Sequence, residues 1–179
     1  YLQKNTRWID GVVITGGEPT MHEDLPSFCQ EIKKLGFSVK LDTNGTNPSM
    51  IRSLVSKGLV DYVAMDLKAP LTEEKYARAA GVSMAFWLPK IEESVRILLE
   101  DKVDYEFRTT LVPTIHRTVD IEAICKKIKS CRKYVLQNFR ANVETINPSF
   151  EKLKAFLNEE VDEFFQVARK IVPNTVLRT

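Results

Sequence analysis

Two hydrophobic periods alternate along the chain. Short β-branched runs occur at Gly11–Thr15, Ser38–Thr43, Tyr62–Lys68, Tyr105–Leu111 and Tyr134–Phe139, with a weaker run at Thr175–Arg178. Between them, apolar residues recur every three or four positions over Leu25–Leu35, Pro48–Lys57, Pro89–Asp101, Ile121–Cys131 and a long stretch, Ser149–Ile171. The first pattern is that of strands and the second that of amphipathic helices. Local punctuation agrees: Asn47 precedes a first-turn proline at Pro48, and Gly36 and Gly58 stop their helices. Strands alternating with helices of this length predict βαβ units, and hence an α/β fold with a parallel sheet.

The polar positions choose between an open doubly wound sheet and a closed one. Strands covered on both faces should be almost continuously apolar. Here the C-terminal halves turn polar on one side: Lys40, Asp42 and Asn44 align, as do Ala64, Asp66 and Lys68, and Glu106, Arg108 and Thr110. Gln137 interrupts the run from Val135. Polar groups at the ends of successive strands suit the mouth of a barrel. A dinucleotide-type sheet would instead carry a G-x-G-x-x-G turn, which the chain lacks. The expectation is a partial (β/α) barrel with a parallel sheet of about five or six strands.

Composition narrows the picture without changing it. With 179 residues, 44% of them hydrophobic and 28% charged, the chain fits one domain with a core that needs no disulfides. Residues 1–179 are expected to form that domain, with 141–179 as a C-terminal helical extension that includes an amphipathic region around Phe164-Phe165. A formal net charge of +2, with acids and bases interleaved, argues against nucleic acid as a partner, and no apolar run approaches a membrane span. Cys29, Cys125 and Cys131 have no C-x-x-C spacing, so neither a disulfide framework nor a zinc site follows from them. Buried reduced thiols fit a cytoplasmic protein.

Four motifs fall at strand ends. Gly16-Gly17-Glu18-Pro19 follows the first run, where paired glycines allow positive φ and close backbone approach to a ligand. Asp42-Thr43-Asn44-Gly45 follows the second. Asn-Gly is common turn chemistry, yet Asp42 and Thr43 also offer oxygens to a ligand or cation. Asp66 and Lys68 share a face two residues apart; they pair with each other or meet a ligand, since charges inside a barrel are costly otherwise. Arg108, on the fourth strand, is a natural clamp for a carboxylate. Together these groups suit a zwitterion that carries hydroxyls.

The ordered series Val-Ile-Thr-Gly-Gly-Glu-Pro-Thr (13–20), Leu-Asp-Thr-Asn-Gly (41–45), Ala-Met-Asp-Leu-Lys (64–68), Arg-Thr-Thr (108–110) and Val-Leu-Gln-Asn-Phe-Arg (135–140) resembles the radical S-adenosylmethionine superfamily. Within it the series is most similar to the activating proteins of anaerobic ribonucleoside-triphosphate reductases, with pyruvate formate-lyase activating enzymes as near neighbours. The resemblance implies that Gly16, Gly17 and Glu18 face the amino group of S-adenosylmethionine. It implies that Asp42, Thr43 and Asn44 lie beside the same cofactor, with Asp66, Lys68 and Arg108 along its methionine and ribose portions. Gln137 and Phe139 would close the mouth, Phe139 standing where a pyruvate formate-lyase activator usually has His.

The implied reaction is reductive cleavage of S-adenosylmethionine and formation of a glycyl radical on a partner enzyme. A one-electron donor such as flavodoxin or ferredoxin is implied too. The family holds a [4Fe–4S] cluster on Cys-x3-Cys-x2-Cys, and nothing before Gly11 contains that spacing. No residue of the chain is therefore expected to bind metal; the cluster cysteines are expected upstream of Tyr1. A (β/α) barrel usually takes ~250 residues, so the expected shortfall is the first strand, the cluster loop and most of the first helix. Two other readings stand beside this one: a non-catalytic barrel remnant, and a metabolic barrel with Lys68 as a Schiff-base amine. His22 is expected on a surface loop, and His116 is assigned no role.

Overall fold

A computed structural model describes residues 2–4, 7–140 and 153–178. In chain order the elements are β1 (Gly11–Ile14), α1 (Leu25–Lys34), β2 (Ser38–Thr43), α2 (Pro48–Ser56), β3 (Tyr62–Asp66), α3 (Glu73–Ala80), α4 (Leu88–Leu99), β4 (Asp104–Leu111), α5 (Thr118–Lys127), β5 (Tyr134–Asn138), α6 (Asn158–Ile171) and β6 (Thr175–Arg178). Short 3-10 turns occupy Leu2–Lys4 and Pro19–Met21. This is the alternating α/β order that the two hydrophobic periods predict. No helix among the described residues is long and apolar enough to cross a membrane.

The backbone divides into two compact units, Tyr1–Asp66 with Ala85–Glu106 and Leu67–Met84 with Phe107–Thr179. In the first, β1, β2 and β3 run parallel in chain order, Gly11 opposite Ser38 and Lys40 opposite Tyr62. Three helices present apolar stripes at helical spacing. Leu25, Cys29 and Ile32 are buried on α1, Ile51 and Leu54 on α2, and Ile91, Val95 and Leu98 on α4. The cap read at Asn47 forms: its Oδ1 accepts from the Met50 amide at 3.3 Å, while its Nδ2 donates to the Thr20 carbonyl at 2.6 Å. Gly36 (φ 86°) and Gly58 (φ 62°) end their helices in the left-handed region, as expected.

In the second unit the last five residues of β4 pair with β5, and β5 with β6, all parallel. Phe107 lies opposite Tyr134, Thr110 opposite Gln137, and Gln137 opposite Arg178. Helices α5 and α6 pack together, with Ile121, Ile124 and Cys125 buried on one and Val161, Phe164 and Ala168 on the other.

Several boundaries differ from the sequence reading. The run from Tyr62 ends as a strand at Asp66, because the Lys68 amide turns to the Tyr76 hydroxyl, 3.3 Å away, instead of continuing a ladder. Helix α5 starts at Thr118 and stops at Lys127, so Cys131 lies beyond it. Its start is set by Asp120, whose carboxylate accepts from the Arg117 amide at 3.0 Å. Of the long stretch from Ser149, residues 149–152 lie outside the described residues, and within 153–171 the helix begins at Asn158, where Glu160 accepts from the Leu157 amide at 2.8 Å. Of the region 141–179, residues 141–152 and 179 also lie outside, and the remainder contributes both α6 and β6.

Helix α3 was not anticipated. Only Tyr76 among its eight residues is buried, so no apolar stripe announces it. Its ends were nevertheless marked: acidic Glu73 and Glu74 in the first turn, and Gly81 (φ 73°) at the stop. The polar face read on β4 is also not uniform. Arg108 is half-buried and Thr110 exposed, but Glu106 is 1% exposed and accepts from the Tyr62 hydroxyl at 2.9 Å.

Candidate functional site

In the first unit the chain leaves β1 through two consecutive left-handed residues, Gly16 (φ 95°) and Gly17 (φ 52°). A Cβ built on either would meet nothing within 4 Å, so glycine is required here by the positive φ, which would strain any side chain, and not by crowding. A pocket of about 240 Å³ opens beside Gly16, lined among others by Ile14, Thr15, Pro19, His22 and Phe28. It is smaller than the ~300–1,000 Å³ usual for an enclosed small-molecule site. His22 is exposed, as expected, and lines this pocket.

Glu18 turns inward, and its carboxylate is a hub. Oε1 accepts from the Thr20 amide (3.1 Å), the Thr20 hydroxyl (2.5 Å) and the Thr43 hydroxyl (2.7 Å), while Oε2 accepts from the Asn44 amide (2.6 Å). The carboxylate thereby joins the loop after β1 to the end of β2. Thr43, 3% exposed, also accepts from the Gly45 amide at 3.1 Å. Asn44 spends its side-chain oxygen on a local turn, accepting from the Thr46 amide (3.0 Å) and hydroxyl (2.7 Å). Gly45 (φ 77°) is pinned by Ser94, whose buried hydroxyl donates to its carbonyl at 2.7 Å. A Cβ at Gly45 would run into the Met65 methyl group.

Glu18, Thr43 and Asn44 are thus brought together by direct bonds, with Gly16 and Gly17 on the same loop. Asp42, half-buried on β2, has Lys40 Nζ 3.5 Å from its Oδ1, and Asp66 is half-buried at the end of β3.

The second unit carries the other three expected residues. Lys68 is exposed, Arg108 half-buried on β4 and Gln137 half-buried on the neighbouring strand β5. Phe139 follows β5, its amide donating to the Leu111 carbonyl at 3.0 Å. The backbone that presents Lys68 is fixed at every polar group. The Leu67 amide donates to the Arg108 carbonyl (2.8 Å), and the Leu67 carbonyl accepts from the Thr109 hydroxyl (2.7 Å). The Lys68 amide reaches Tyr76, and the Lys68 carbonyl lies 2.9 Å from His116 Nε2. Behind Thr109 stands Tyr134, whose hydroxyl donates to Thr109 Oγ1 at 2.8 Å; burial pushes that phenol well up.

His116, to which the sequence reading assigns no role, lies on the expected loop and is built into it. It is 4% exposed, and the Val112 amide donates to its Nδ1 at 3.0 Å. That bond makes Nδ1 the acceptor, so Nε2 bears the proton and donates to Lys68. Burial holds the imidazole below the ordinary histidine range. Sequence gave no cue to this, since a histidine three residues past Pro113 looks like any loop polar group. Nor did it mark Thr20, Tyr76, Thr109 or Tyr134 as holding the loops in place.

The cysteines are buried in both units. Burial raises Cys29, and it lifts Cys125 to about 12, with help from Cys131, and Cys131 to about 11. Thiols of that kind are poor nucleophiles and poor metal ligands. Among the described residues no three His, Cys, Asp or Glu side chains are grouped to hold a metal ion.

A profile of the radical SAM superfamily matches residues 1–113. The chain is 36% identical, over 95% of its length and 71% of the other's, to a protein of Methanocaldococcus jannaschii provisionally named a glycyl-radical enzyme activating enzyme. Its fold is similar to the crystal structure of a domain of a pyruvate-formate lyase-activating enzyme from Bacteroides vulgatus, with TM-score 0.75 and 16% identity over 94% of this chain and 99% of that one. It is also similar to Streptococcus suis SuiB bound to S-adenosylmethionine, with TM-score 0.71 and 15% identity, covering 99% of this chain and 42% of that one. The expected partial-barrel type of α/β fold with parallel strands is the one these structures share.

Proposed function

The chain belongs to the radical SAM superfamily, and from that membership we propose that it is part of a glycyl-radical enzyme activating protein acting on an anaerobic ribonucleoside-triphosphate reductase. The family uses S-adenosylmethionine and a [4Fe–4S] cluster. The observation that carries the activase reading is the 36% identity across 95% of the chain to a relative bearing that name. Phe139, in place of the histidine expected of a formate-lyase activator, supports the reductase as partner.

The residue types present fit S-adenosylmethionine. In the first unit, the Gly16-Gly17 turn with the pocket beside Gly16 suits the amino end of the ligand, Asp42 and Asp66 suit hydroxyls and polar edges, and Glu18 ties the loop after β1 to Thr43 and Asn44 at the end of β2. In the second unit, Lys68 and Arg108 suit a carboxylate and Gln137 a polar edge. The three cysteines do not fit a [4Fe–4S] cluster, since they are buried, protonated and ungrouped. These three cysteines are therefore not the ligands of the cluster that the reading requires.

With S-adenosylmethionine and the cluster bound, the pair would supply, on one electron from a flavodoxin- or ferredoxin-like donor, the radical chemistry that removes a hydrogen atom from a glycine Cα of the partner enzyme. The protein's share is to orient the ligand and exclude water. Such chemistry suits a reducing cytoplasm. The test is the full-length protein, reduced anaerobically with the reductase or with a pyruvate formate-lyase. A glycyl-radical resonance on the reductase alone is expected. Radical on the lyase alone would transfer the reading to a formate-lyase-type activase. No 5′-deoxyadenosine with either partner would overturn it. The ungrouped cysteines favour a second reading, a barrel remnant without a cluster, which iron and sulfide absent from the anaerobically purified full-length protein would establish.

A further inference from the structure

We propose that His116 is a positioning residue for Lys68, fixing the backbone from which that lysine reaches S-adenosylmethionine; the inference rests on the reading of Lys68 as a ligand to that molecule. The four backbone polar groups of Leu67 and Lys68 have four different partners: Arg108 O, Thr109 Oγ1, Tyr76 Oη and His116 Nε2. Three of these come from β4 and α3, whose own ladders and helical bonds hold them. The fourth stands on the loop that follows β4.

That loop is itself tightly built. The His116 and Ile115 amides both return to the Val112 carbonyl, at 3.0 and 3.2 Å, and Thr114 sits in the left-handed region (φ 74°). Arg78 of α3 donates to the Thr114 carbonyl at 2.6 Å. Asp120, 5% exposed by its side chain, pairs with Lys75 Nζ at 3.0 Å. The imidazole therefore bridges two fixed points, taking a hydrogen bond from Val112 and giving one to Lys68. The neutral ring with its proton on Nε2 can do both. A second proton, on Nδ1, would face the Val112 N–H and break the bridge. Asp120 and Lys75 are the charged groups whose fields act on the ring, in opposite directions.

A lysine side chain has many rotamers to lose, so its use as a ligand depends on where its Cα is held. Without His116 the Lys68 carbonyl loses its partner while the other three bonds remain, so the Lys68 Cα is held less tightly and its ammonium is presented less well to a carboxylate. Replacing His116 should therefore weaken binding only while Lys68 is there to be misplaced.

The experiment is a double-mutant cycle on the full-length protein, with S-adenosylmethionine affinity read by calorimetry at pH 7.5. Lys68→Ala and His116→Leu are each expected to weaken binding about three- to tenfold, and the double variant no more than Lys68→Ala alone. His116→Gln, whose amide can accept at one end and donate at the other, should stay within about twofold. Affinity of the unaltered protein should fall once the pH drops below the ordinary histidine range far enough to protonate the buried ring, whereas that of His116→Gln should not. Equal losses from His116→Leu with and without Lys68 would overturn the inference and leave the ligand reading intact. Lys68→Ala with unchanged affinity would overturn the ligand reading, and the inference with it. Should His116→Leu fail to fold, His116→Gln and its pH profile decide: identical profiles for the two proteins would overturn the inference.

Discussion

The two units fix their strand-end loops in opposite styles. In the first, one charged group does most of the fastening: the Glu18 carboxylate collects four hydrogen bonds from Thr20, Thr43 and Asn44. In the second, the turn at Leu67 and Lys68 is held by four partners, a carbonyl, two hydroxyls and an imidazole. A hub concentrates risk, because a carboxylate only accepts and its loss strands several donors at once. A distributed mount divides the risk: losing one partner costs less stability because the others still hold, although the group that partner held is loosened. Charge-assisted bonds strengthen the hub further. The difference predicts how each region fails.

The steepest loss should come where the hub's own loop has no room to adjust. Gly45→Val places a branched side chain at φ 77°, with its Cβ driven into Met65 and against Ser94. Left-handed strain and overpacking together should cost about 4 kcal/mol. Urea unfolding of the purified domain would show the midpoint displaced accordingly. A change under 1 kcal/mol would mean that the loop can swing clear, and the picture of a rigid β2 exit would fail.

Next comes the hub itself. Glu18→Ala leaves the Thr43 hydroxyl and the Thr20 and Asn44 amides without their acceptor, which should cost about 3 kcal/mol. Glu18→Gln should cost less: one oxygen can keep the Thr20 and Thr43 set, but an NH2 then faces the Asn44 amide. An alanine variant as stable as the parent would show that the carboxylate serves a ligand rather than the fold, which is the role the sequence motif alone suggested.

That contrast bears on what was legible in the chain. Among the described residues the alternation of runs located each strand and all α-helices but α3, because burial imposes periodicities that survive in the sequence. The helix around Tyr76 left no stripe, since a single buried tyrosine has no period. For the site, motif reading found Glu18, Thr43 and Asn44 together but could not tell a ligand from a fastener. Both roles ask for an oxygen at a strand end; only the direction of the side chain separates them. Where a short motif holds all the partners, the grouping is legible. His116 and Lys68 are 48 residues apart, and no local pattern links an imidazole to a distant carbonyl. Glu106 likewise looked like part of a polar rim until its tyrosine partner, 44 residues away, was in view.

In the second unit, Thr109→Val tests the distributed mount. The substitution is close to isosteric and removes the hydroxyl that links Tyr134 to the Leu67 carbonyl. Two buried groups lose a partner, yet three fastenings of the turn remain, so a cost of about 1–2 kcal/mol is expected. Tyr134→Phe in the Thr109→Val background should add little, because the phenol then has no acceptor to lose there. If Thr109→Val cost as much as Glu18→Ala, both units would depend on single hubs and the contrast would collapse.

The smallest effect, and the sharpest in its pH signature, belongs to His116. Burial holds its imidazole below the ordinary histidine range, and the unfolded chain titrates near 6.5. Between those two values the unfolded state binds the proton and the folded state does not, so stability rises with pH across that window. The contribution is complete above about pH 6.5 and is lost as the pH falls through the window toward the folded value. His116→Gln has nothing to titrate at this position. Subtracting its urea-unfolding curve at pH 7.5 and 5.5 from that of the parent should leave a residual slope with the parent relatively weaker at pH 5.5. Other groups cancel in that difference, including Asp120, where burial opposes but the Lys75 ammonium and the Arg117 amide prevail and hold the carboxyl below its usual range. Parallel curves would mean that the ring takes up its proton over the same pH range in the fold as in the unfolded chain. That would contradict both its burial and its bond from Val112.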